Sequence, residues 1–239
     1  MRDILVMGHR GSPIAAPENT LRSYEIAMQS GVDMIEVDVW GSADGQLVCM
    51  HDPDVSATTN GVGMIEELTI EEIKSLDAGE GEEVPLLEEV LDLIQGRIGI
   101  NIDLKSFGVE EQILELVIER GMLDSTIISS FFLVSIEIVN ELNKDVQTGA
   151  IFQLGMEEMV KHTLNVGANA IHPVLPDVTN DLVNQAHEAG LKVNVWGADD
   201  EADMRRILKW GVDGIITDFP EVGVRVVDSW LRGLETPHS

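Results

Sequence analysis

Two carboxylates stand in an apolar segment near the start of the chain. Glu36 and Asp38 are two residues apart within residues 34–39, so on a β-strand both side chains would point to the same face. Burying two neighbouring carboxylates is costly unless a cation lies between them or one of them is protonated. The alternative is that this face lies in water, as in an antiparallel sheet with one exposed side. The apolar residues on both sides of the pair favour burial and a bound cation.

His51 follows a second apolar segment, residues 47–50. The connection between the two segments is short and carries the turn signal Asp44-Gly45. Because a parallel connection needs a dozen or more residues, this spacing favours a β-hairpin. We therefore expect the hairpin to bring His51 back toward the carboxylate pair.

Asp103 and Lys105 repeat the same-face spacing at the end of another strand-like segment. Taken alone, they are most simply a salt bridge at a sheet end. Taken with Glu36 and Asp38, Asp103 supplies a third carboxylate. Oxygen ligands without a thiolate suit a hard cation such as Mg²⁺ or Ca²⁺ better than zinc. The single cysteine, Cys49, excludes an intrachain disulfide and is most simply a small buried side chain.

Two histidines and two cations complete the candidate catalytic residues. His9 and His51 could act as a proton-transfer pair, because imidazole titrates near neutral pH and nearby carboxylates or a metal can tune it. Arg10 and Lys105 are the cations that an otherwise acidic protein would need to hold a phosphate group. A lone histidine is more often structural, and the position of both histidines at strand ends favours a catalytic role.

Strand-like and helix-like segments alternate along the chain, which predicts parallel strands with helical crossovers. The strand candidates are residues 4–8, 34–39, 47–50, 98–104, 126–130, 148–152, 170–172, 192–196 and 214–217. They number one more than an eight-stranded barrel holds. If residues 47–50 belong to the hairpin, the other eight predict an α/β fold, a TIM-type (β/α)8 barrel. It would close with residues 214–217 beside residues 4–8.

The barrel is predicted to be a single domain over residues 1–239, with the active site at the C-terminal ends of its strands, where polar residues recur. The irregular segment 53–85 is predicted to be a loop excursion, with a short acidic helix near residues 70–76. The tail, residues 236–239, is predicted to be loose.

The composition restricts the partners that this protein can have. The net charge is −28, from 43 acidic residues against 15 lysines and arginines, and such a field repels nucleic acid and anionic lipid surfaces. No apolar run approaches the length of a membrane helix, and the N-terminus lacks a signal-peptide layout. We therefore expect a cytoplasmic protein with a small-molecule partner, no nucleic acid and no stable membrane association. The oligomeric state is left open.

The order and spacing of the polar motifs resemble the glycerophosphodiester phosphodiesterase family over nearly the whole chain. The motifs are His9-Arg10-Gly11, Pro17-Glu18-Asn19-Thr20, Glu36-Val37-Asp38-Val39, Asp44-Gly45, His51-Asp52, Thr58-Thr59-Asn60-Gly61, Leu76-Asp77-Ala78-Gly79, Asn101-Ile102-Asp103-Leu104-Lys105, Ser130-Phe131, Trp196 and Gly211-Val212-Asp213-Gly214-Ile215-Ile216-Thr217-Asp218. The motifs of the first third are the most specific.

The resemblance implies a barrel that hydrolyses glycerophosphodiesters to sn-glycerol 3-phosphate and an alcohol with one divalent cation, Mg²⁺ or Ca²⁺, with Mn²⁺ also possible. The implied roles are Glu36, Asp38 and Asp103 as metal ligands, His9 and His51 as the acid/base pair, Arg10 and Lys105 as phosphate-binding cations, and Trp196 as a pocket-lining aromatic. The resemblance does not decide which histidine is the acid.

Departures from the family pattern keep two other functions open. Asp103 stands where the family usually has Glu, Ala57 where Arg is common, Gly197 where Thr is common, and Ser42 where Thr is usual. A related phosphodiesterase acting on a lysophospholipid would need an apolar lip, and the sequence has no hydrophobic excursion to form one. A non-catalytic barrel that binds phosphorylated polyols is favoured by Asp103 and Ala57.

Overall fold

Eight parallel strands close into a barrel in the computed structural model, which describes residues 2–233. In chain order the strands are β1 (Leu5–Gly8), β2 (Met34–Gly41), β3 (Leu47–Cys49), β4 (Gly99–Leu104), β5 (Thr126–Ser130), β6 (Gln147–Phe152), β7 (Ala170–Pro173), β8 (Lys192–Trp196) and β9 (Gly214–Thr217). Within the described residues the sheet order is β1-β9-β8-β7-β6-β5-β4-β2-β3, and β1 also pairs with β2. The predicted TIM-type barrel is confirmed. The predicted loose tail lies outside the described residues.

The ninth strand is the hairpin partner that the sequence predicts. β3 pairs with β2 in the antiparallel direction, with Val39 opposite Cys49 and Gly41 opposite Leu47. All the other pairings among the described strands are parallel. β3 therefore lies outside the closed barrel, as an extension of β2.

The helices form the outer layer of the barrel. They are α1 (Leu21–Gln29), α2 (Ile70–Lys74), α3 (Leu87–Ile94), α4 (Glu110–Glu119), α5 (Leu133–Leu142), α6 (Met159–Asn165), α7 (Asn180–Glu188), α8 (Glu201–Trp210) and α9 (Pro220–Leu231). None of the helices in residues 2–233 is both long and apolar enough to cross a membrane.

Alternation along the strands separates two environments. One face of each strand contributes to a large apolar cluster shared with the helices, as Val37 and Val39 do with Leu87 of α3. The other face points into the barrel, where Met7, Met34 and others form a small apolar cluster. Because Glu36 and Asp38 alternate with Val37 and Val39, they share the inner face with Met34.

The excursion at residues 53–85 has a small apolar core of its own. Val55, Ile65 and Ile73 are fully buried and belong to one cluster with Val48 of β3. Trp40 of β2 packs against the same cluster. The excursion is therefore fixed to the hairpin by packing.

Candidate active site

Three carboxylates meet at the C-terminal ends of β2 and β4. Glu36, Asp38 and Asp103 are buried, with 4%, 1% and 3% of their surfaces exposed. Asp38 lies directly opposite Asp103 in the parallel register. One oxygen from each of the three carboxylates lies within 4.8 Å of the other two. The sequence-predicted ligands are thus brought together by strand alternation and by this register.

Two cations lie against the carboxylates. Lys105 Nζ is 2.6 Å from Asp103 Oδ2 and 3.0 Å from Asp38 Oδ1. Arg10 Nε is 3.3 Å from Asp38 Oδ2, and its Nη1 donates to Glu18 Oε1 at 2.9 Å. Both predicted phosphate-binding cations therefore lie in the site, beside the carboxylates.

The buried charges perturb one another. Burial raises the pKa of Glu36 to about 8, and the neighbouring charge of Asp38 adds to that effect. Burial likewise raises the pKa of Asp103 to about 7, although Lys105 opposes the shift. Burial also acts against ionisation of Asp38, but Lys105 and Arg10 outweigh it and lower the pKa of Asp38. Lys105 and Arg10 therefore favour the ionised form of Asp38, whereas Glu36 and Asp103 lack enough neighbouring positive charge to offset their burial.

The carboxylate cluster has the properties of a divalent cation site. Asp103 Oδ1 is buried and has no hydrogen-bond partner. The three side chains offer oxygen ligands only, which suits Mg²⁺, Ca²⁺ or Mn²⁺. A divalent cation would also supply the positive charge that Glu36 and Asp103 lack, so the residues present fit a metal.

His9 directly follows β1, in a turn whose next residue has an unusual backbone conformation. Arg10 has a left-handed φ of 51°, and its backbone N–H donates to Glu36 Oε2 at 2.9 Å. Gly8 permits this turn, because a Cβ there would lie 2.4 Å from the carbonyl oxygen of Gly11. The turn thus helps to position His9 in the pocket that the carboxylates also line.

A carboxylate holds the ring of His9. Its Nδ1 donates to Asp218 Oδ1 at 2.6 Å, which leaves Nε2 free for a ligand. Burial lowers the pKa of His9, but the hydrogen bond to Asp218 and the charge of Glu36 outweigh burial and raise the pKa overall. Asp218 therefore orients the imidazole and stabilises its protonated form.

His51 is held by the hairpin and by its neighbours. Trp40 Nε1 donates to the carbonyl oxygen of His51 at 3.1 Å. Its ring Nδ1 lies 3.4 Å from Asp52 Oδ1, a longer contact than that between His9 and Asp218. Burial lowers the pKa of His51 in spite of the charge of Asp38. The two histidines line one pocket and differ in the direction of their pKa shifts.

Aromatic rings form another part of the pocket wall. Trp196 meets Phe131 edge to face, with ring centroids 6.1 Å apart, and Lys105 Nζ lies 5.2 Å from the centroid of Phe131. Trp196 Nε1 donates to the carbonyl oxygen of His172 at 3.2 Å, which fixes its indole. The predicted pocket aromatic is therefore in the site, and all eight predicted site residues line this pocket.

Sequence reasoning assigned no role to three residues that support the site. Asp218 binds His9, and Asn19 donates to Asp38 Oδ2 at 2.9 Å while it accepts from the hydroxyl of Tyr24. His172 is fully buried in the pocket wall. The predicted closure of the barrel could have identified Asp218. Gly8 of β1 pairs with Thr217 of β9, so His9 and Asp218, which directly follow these two residues, are neighbours.

The model of the glycerophosphoryl diester phosphodiesterase family matches residues 9–222 of the chain. A glycerophosphodiester phosphodiesterase from Caldanaerobacter subterraneus is 38% identical over 236 residues, which cover 93% of this chain and 97% of that protein. A glycerophosphodiester phosphodiesterase from Bacillus subtilis is 31% identical, covering 92% and 85% of the two chains.

Solved structures agree with these matches. The Oleispira antarctica phosphodiesterase, in complex with the product sn-glycerol-3-phosphate, superposes with a TM-score of 0.88 at 29% identity, over 94% of this chain and 97% of that one. The glycerophosphodiester phosphodiesterase of Agrobacterium tumefaciens gives a TM-score of 0.84 at 30% identity, over 93% and 99% of the two chains.

Proposed function

The chain belongs to the glycerophosphoryl diester phosphodiesterase family, and from that premise we propose that it hydrolyses glycerophosphodiesters to sn-glycerol 3-phosphate and an alcohol. The observation that carries the proposal is the meeting of three carboxylates, two cations and two histidines in one pocket at the barrel mouth. Each group matches a requirement of phosphodiester hydrolysis: charge neutralisation, phosphate binding and proton transfer.

We assign the metal site to Glu36, Asp38 and Asp103, with one divalent cation, Mg²⁺ or Ca²⁺, and with Mn²⁺ also suitable. When bound, the cation would offset negative charge that develops on the phosphate oxygens. Asp103, one methylene shorter than the usual glutamate of the family, still reaches the cluster. The shorter side chain is therefore compatible with the proposed site.

The protein's own side chains carry the remaining roles in this proposal. Arg10 and Lys105 hold the phosphate group, and Trp196 packs against the rest of the substrate in the pocket. One histidine accepts the proton of a substrate hydroxyl as its oxygen attacks phosphorus, and the other protonates the departing alcohol. Water then opens the cyclic phosphate, with the two histidines exchanging roles.

The hydrogen bonds of the histidines indicate which nitrogens take part. Asp218 occupies Nδ1 of His9, and Asp52 lies nearest Nδ1 of His51. The Nε2 atom of each ring is therefore the one available to the substrate. The raised pKa of His9 and the lowered pKa of His51 suit an acid and a base respectively in the first step.

The alternative of a non-catalytic phospho-polyol-binding barrel rests on two departures. Asp103 reaches the cluster, as described above. Ala57 lies in a short 3₁₀ turn of the excursion, Val55–Ala57, and is exposed. Neither position removes a histidine, a carboxylate or a cation from the pocket, so hydrolysis is the function that the site supports best.

Substitution of His51 and removal of metal test the proposal. We expect His51→Ala to reduce release of glycerol phosphate from glycerophosphocholine by at least roughly 100-fold, because proton transfer contributes on that order. The melting temperature should change little, since 34% of the His51 side chain is exposed. EDTA should abolish the wild-type activity, and Mg²⁺, Ca²⁺ or Mn²⁺ should restore it.

The matched control is His162→Gln, which replaces a histidine of the outer helix α6 and should retain activity. Turnover by His51→Ala at the wild-type rate would contradict the assigned role of the histidine. Full activity in EDTA would contradict the metal site. Ligand-induced stabilisation without turnover in any of the three metals would favour the non-catalytic alternative. Cytoplasmic localisation and the absence of nucleic-acid and membrane partners stay predictions from the sequence.

A further inference from the structure

Two phenylalanines are exposed together at the mouth of the barrel. Phe107 follows β4 and Phe132 follows β5, and these strands are neighbours in the sheet. Their ring centroids are 4.9 Å apart, yet 59% of Phe107 and 43% of Phe132 remain exposed. Contiguous exposed aromatic surface of this kind often marks a binding site. We refer to Phe107 and Phe132 as the phenylalanine pair.

The phenylalanine pair is held by fixed loops. Ser106 is buried, and its Oγ accepts from the backbone N–H of Gly41 at 3.0 Å. Ser130 Oγ accepts from the backbone N–H of Phe132 at 3.0 Å and donates to the carbonyl oxygen of Leu104 at 2.8 Å. Both loops are thus tied to the C-terminal ends of the barrel strands, so the exposure of the two rings is a property of the folded barrel.

The phenylalanine pair is adjacent along the chain to residues that line the candidate active site. Phe132 directly follows Phe131, whose ring contacts both Trp196 and Lys105. Phe107 is two residues from Lys105, which lies against two of the proposed metal ligands. Both phenylalanines therefore lie at the same mouth of the barrel as the pocket, within two residues of side chains that line it.

From this placement of exposed aromatic rings beside the pocket we infer that the phenylalanine pair binds an apolar chain on the alcohol of a glycerophosphodiester, so that the enzyme prefers diesters of alkyl alcohols to those of small polar alcohols. The inference rests on the proposed function. It supplies the apolar lip that the sequence did not predict, because Phe107 and Phe132 are distant in sequence and only the fold brings their rings together.

The occupant is a single substrate chain. A net charge of −28 disfavours docking on an anionic lipid surface and docking on a second copy of the same chain. A monomeric substrate presents one phosphate to Arg10 and Lys105 and one chain to the phenylalanine pair. This arrangement uses the charged pocket and the apolar surface at the same time.

Binding of a homologous series separates this inference from the catalytic proposal. His51→Ala, with Mg²⁺ in excess, would be titrated calorimetrically with the ethyl, butyl and hexyl esters of sn-glycerol 3-phosphate. We expect affinity to rise about twofold for each added methylene, half of the roughly fourfold gain that complete burial of a methylene would give. Adding Phe107→Ser and Phe132→Ser should remove most of this dependence on chain length.

A matched control is Ile118→Ser, because Ile118 is 50% exposed but lies near the end of α4, on the outer layer away from the mouth. Added to His51→Ala, Ile118→Ser should leave the dependence of affinity on chain length unchanged. Equal affinities for the ethyl and hexyl esters would overturn the inference, even if the wild type hydrolyses both. A chain-length dependence without release of glycerol phosphate by the wild type would support the binding site while overturning the proposed hydrolysis.

Two further measurements distinguish a substrate chain from other occupants. Co-sedimentation with neutral phosphatidylcholine vesicles that disappears in Phe107→Ser would overturn the inference in favour of a lipid surface. Dimers in light scattering that dissociate in Phe132→Ser would overturn it in favour of a second copy of this chain. A monomer that ignores vesicles and binds the hexyl ester more tightly would support it.

Discussion

His172 is the residue through which we expect acid to destabilise the barrel. It is fully buried, its Nε2 lies 3.0 Å from Asn194 Nδ2, and its Nδ1 has no hydrogen-bond partner. Burial lowers its pKa to about 3, against 6.5 in an unfolded chain. Between these two values the unfolded chain binds a proton that the folded protein excludes. The free energy of unfolding must therefore fall as the pH falls through this window.

The expected magnitude follows from the two pKa values. Within the window the loss approaches about 1.4 kcal/mol per pH unit, and between pH 6 and pH 4 it amounts to about 2.5 kcal/mol. Above about pH 7.5 the contribution of His172 to the pH dependence disappears, because the histidine is then neutral in the folded and the unfolded chain. Other groups also titrate between pH 6 and pH 4, so the informative quantity is the difference between wild type and a variant that lacks this histidine.

Urea unfolding followed by tryptophan fluorescence, at several pH values between 7 and 4 with EDTA present, would measure this difference. His172→Gln should unfold with a shallower pH dependence, by about 2.5 kcal/mol over the two units, whatever its stability at pH 7. The control His162→Gln, on α6, should retain the wild-type slope. Identical slopes for His172→Gln and wild type would refute the reasoning, and a protonated His172 at pH 5 in NMR titration would do the same.

Two further predictions concern the carboxylates beside the histidines and the close packing around His172. Asp218→Asn should lower kcat/KM for glycerophosphocholine by roughly 100-fold, because the ring of His9 loses its orienting carboxylate. Asp52→Asn, beside the longer contact at 3.4 Å, should lose less, and equal losses in kinetic assays would contradict this ranking. Gly149→Ala should destabilise the fold by about 2 to 3 kcal/mol in urea unfolding, since its Cβ would lie 2.5 Å from His172 Nε2. Gly81→Ala, with a φ of 82° and open space around it, should lose only about 1 kcal/mol.

Strand alternation and barrel topology explain why much of the site could be predicted from the sequence. Spacing alone indicates that Glu36 and Asp38 share a face, and a short connection with a turn signal indicates that β3 returns along β2. The meeting of Asp38 with Asp103 depends on the register between β2 and β4. No local pattern encodes that register, so the sequence predicts which residues meet but not their distances.

The helix α9 shows where local preference misleads. Pro220 suits the first turn of a helix, but the segment also contains Gly223, which is a poor helix former. In the fold Gly223 lies against the barrel, and a Cβ there would be 3.0 Å from Val6 Cγ1 and 3.2 Å from Thr217 Cγ2. The glycine lets α9 approach β1 and β9 closely, so tertiary packing outweighs helix propensity.

The roles of Asn19 and the phenylalanine pair could not be predicted from the sequence, because they too depend on tertiary contacts. Thr20 caps α1, whereas Asn19 adopts a left-handed φ of 55° and its amide donates to Asp38. Phe107 and Phe132 belong to different loops, and only the pairing of β4 with β5 makes them neighbours. Such contacts arise from long-range geometry.

The hairpin has a consequence for the order in which parts of the molecule unfold. His51 follows β3 by two residues, and β3 lies outside the closed barrel and is joined to it by the pairing with β2. Local opening of β3 and the excursion would therefore remove a proposed catalytic group while the eight barrel strands stay paired. Hydrogen exchange should report faster amide exchange at Val48 than at Ile102 in β4, and activity should disappear in urea before the barrel unfolds. The protein would then have two stabilities, one for its fold and a lower one for its function.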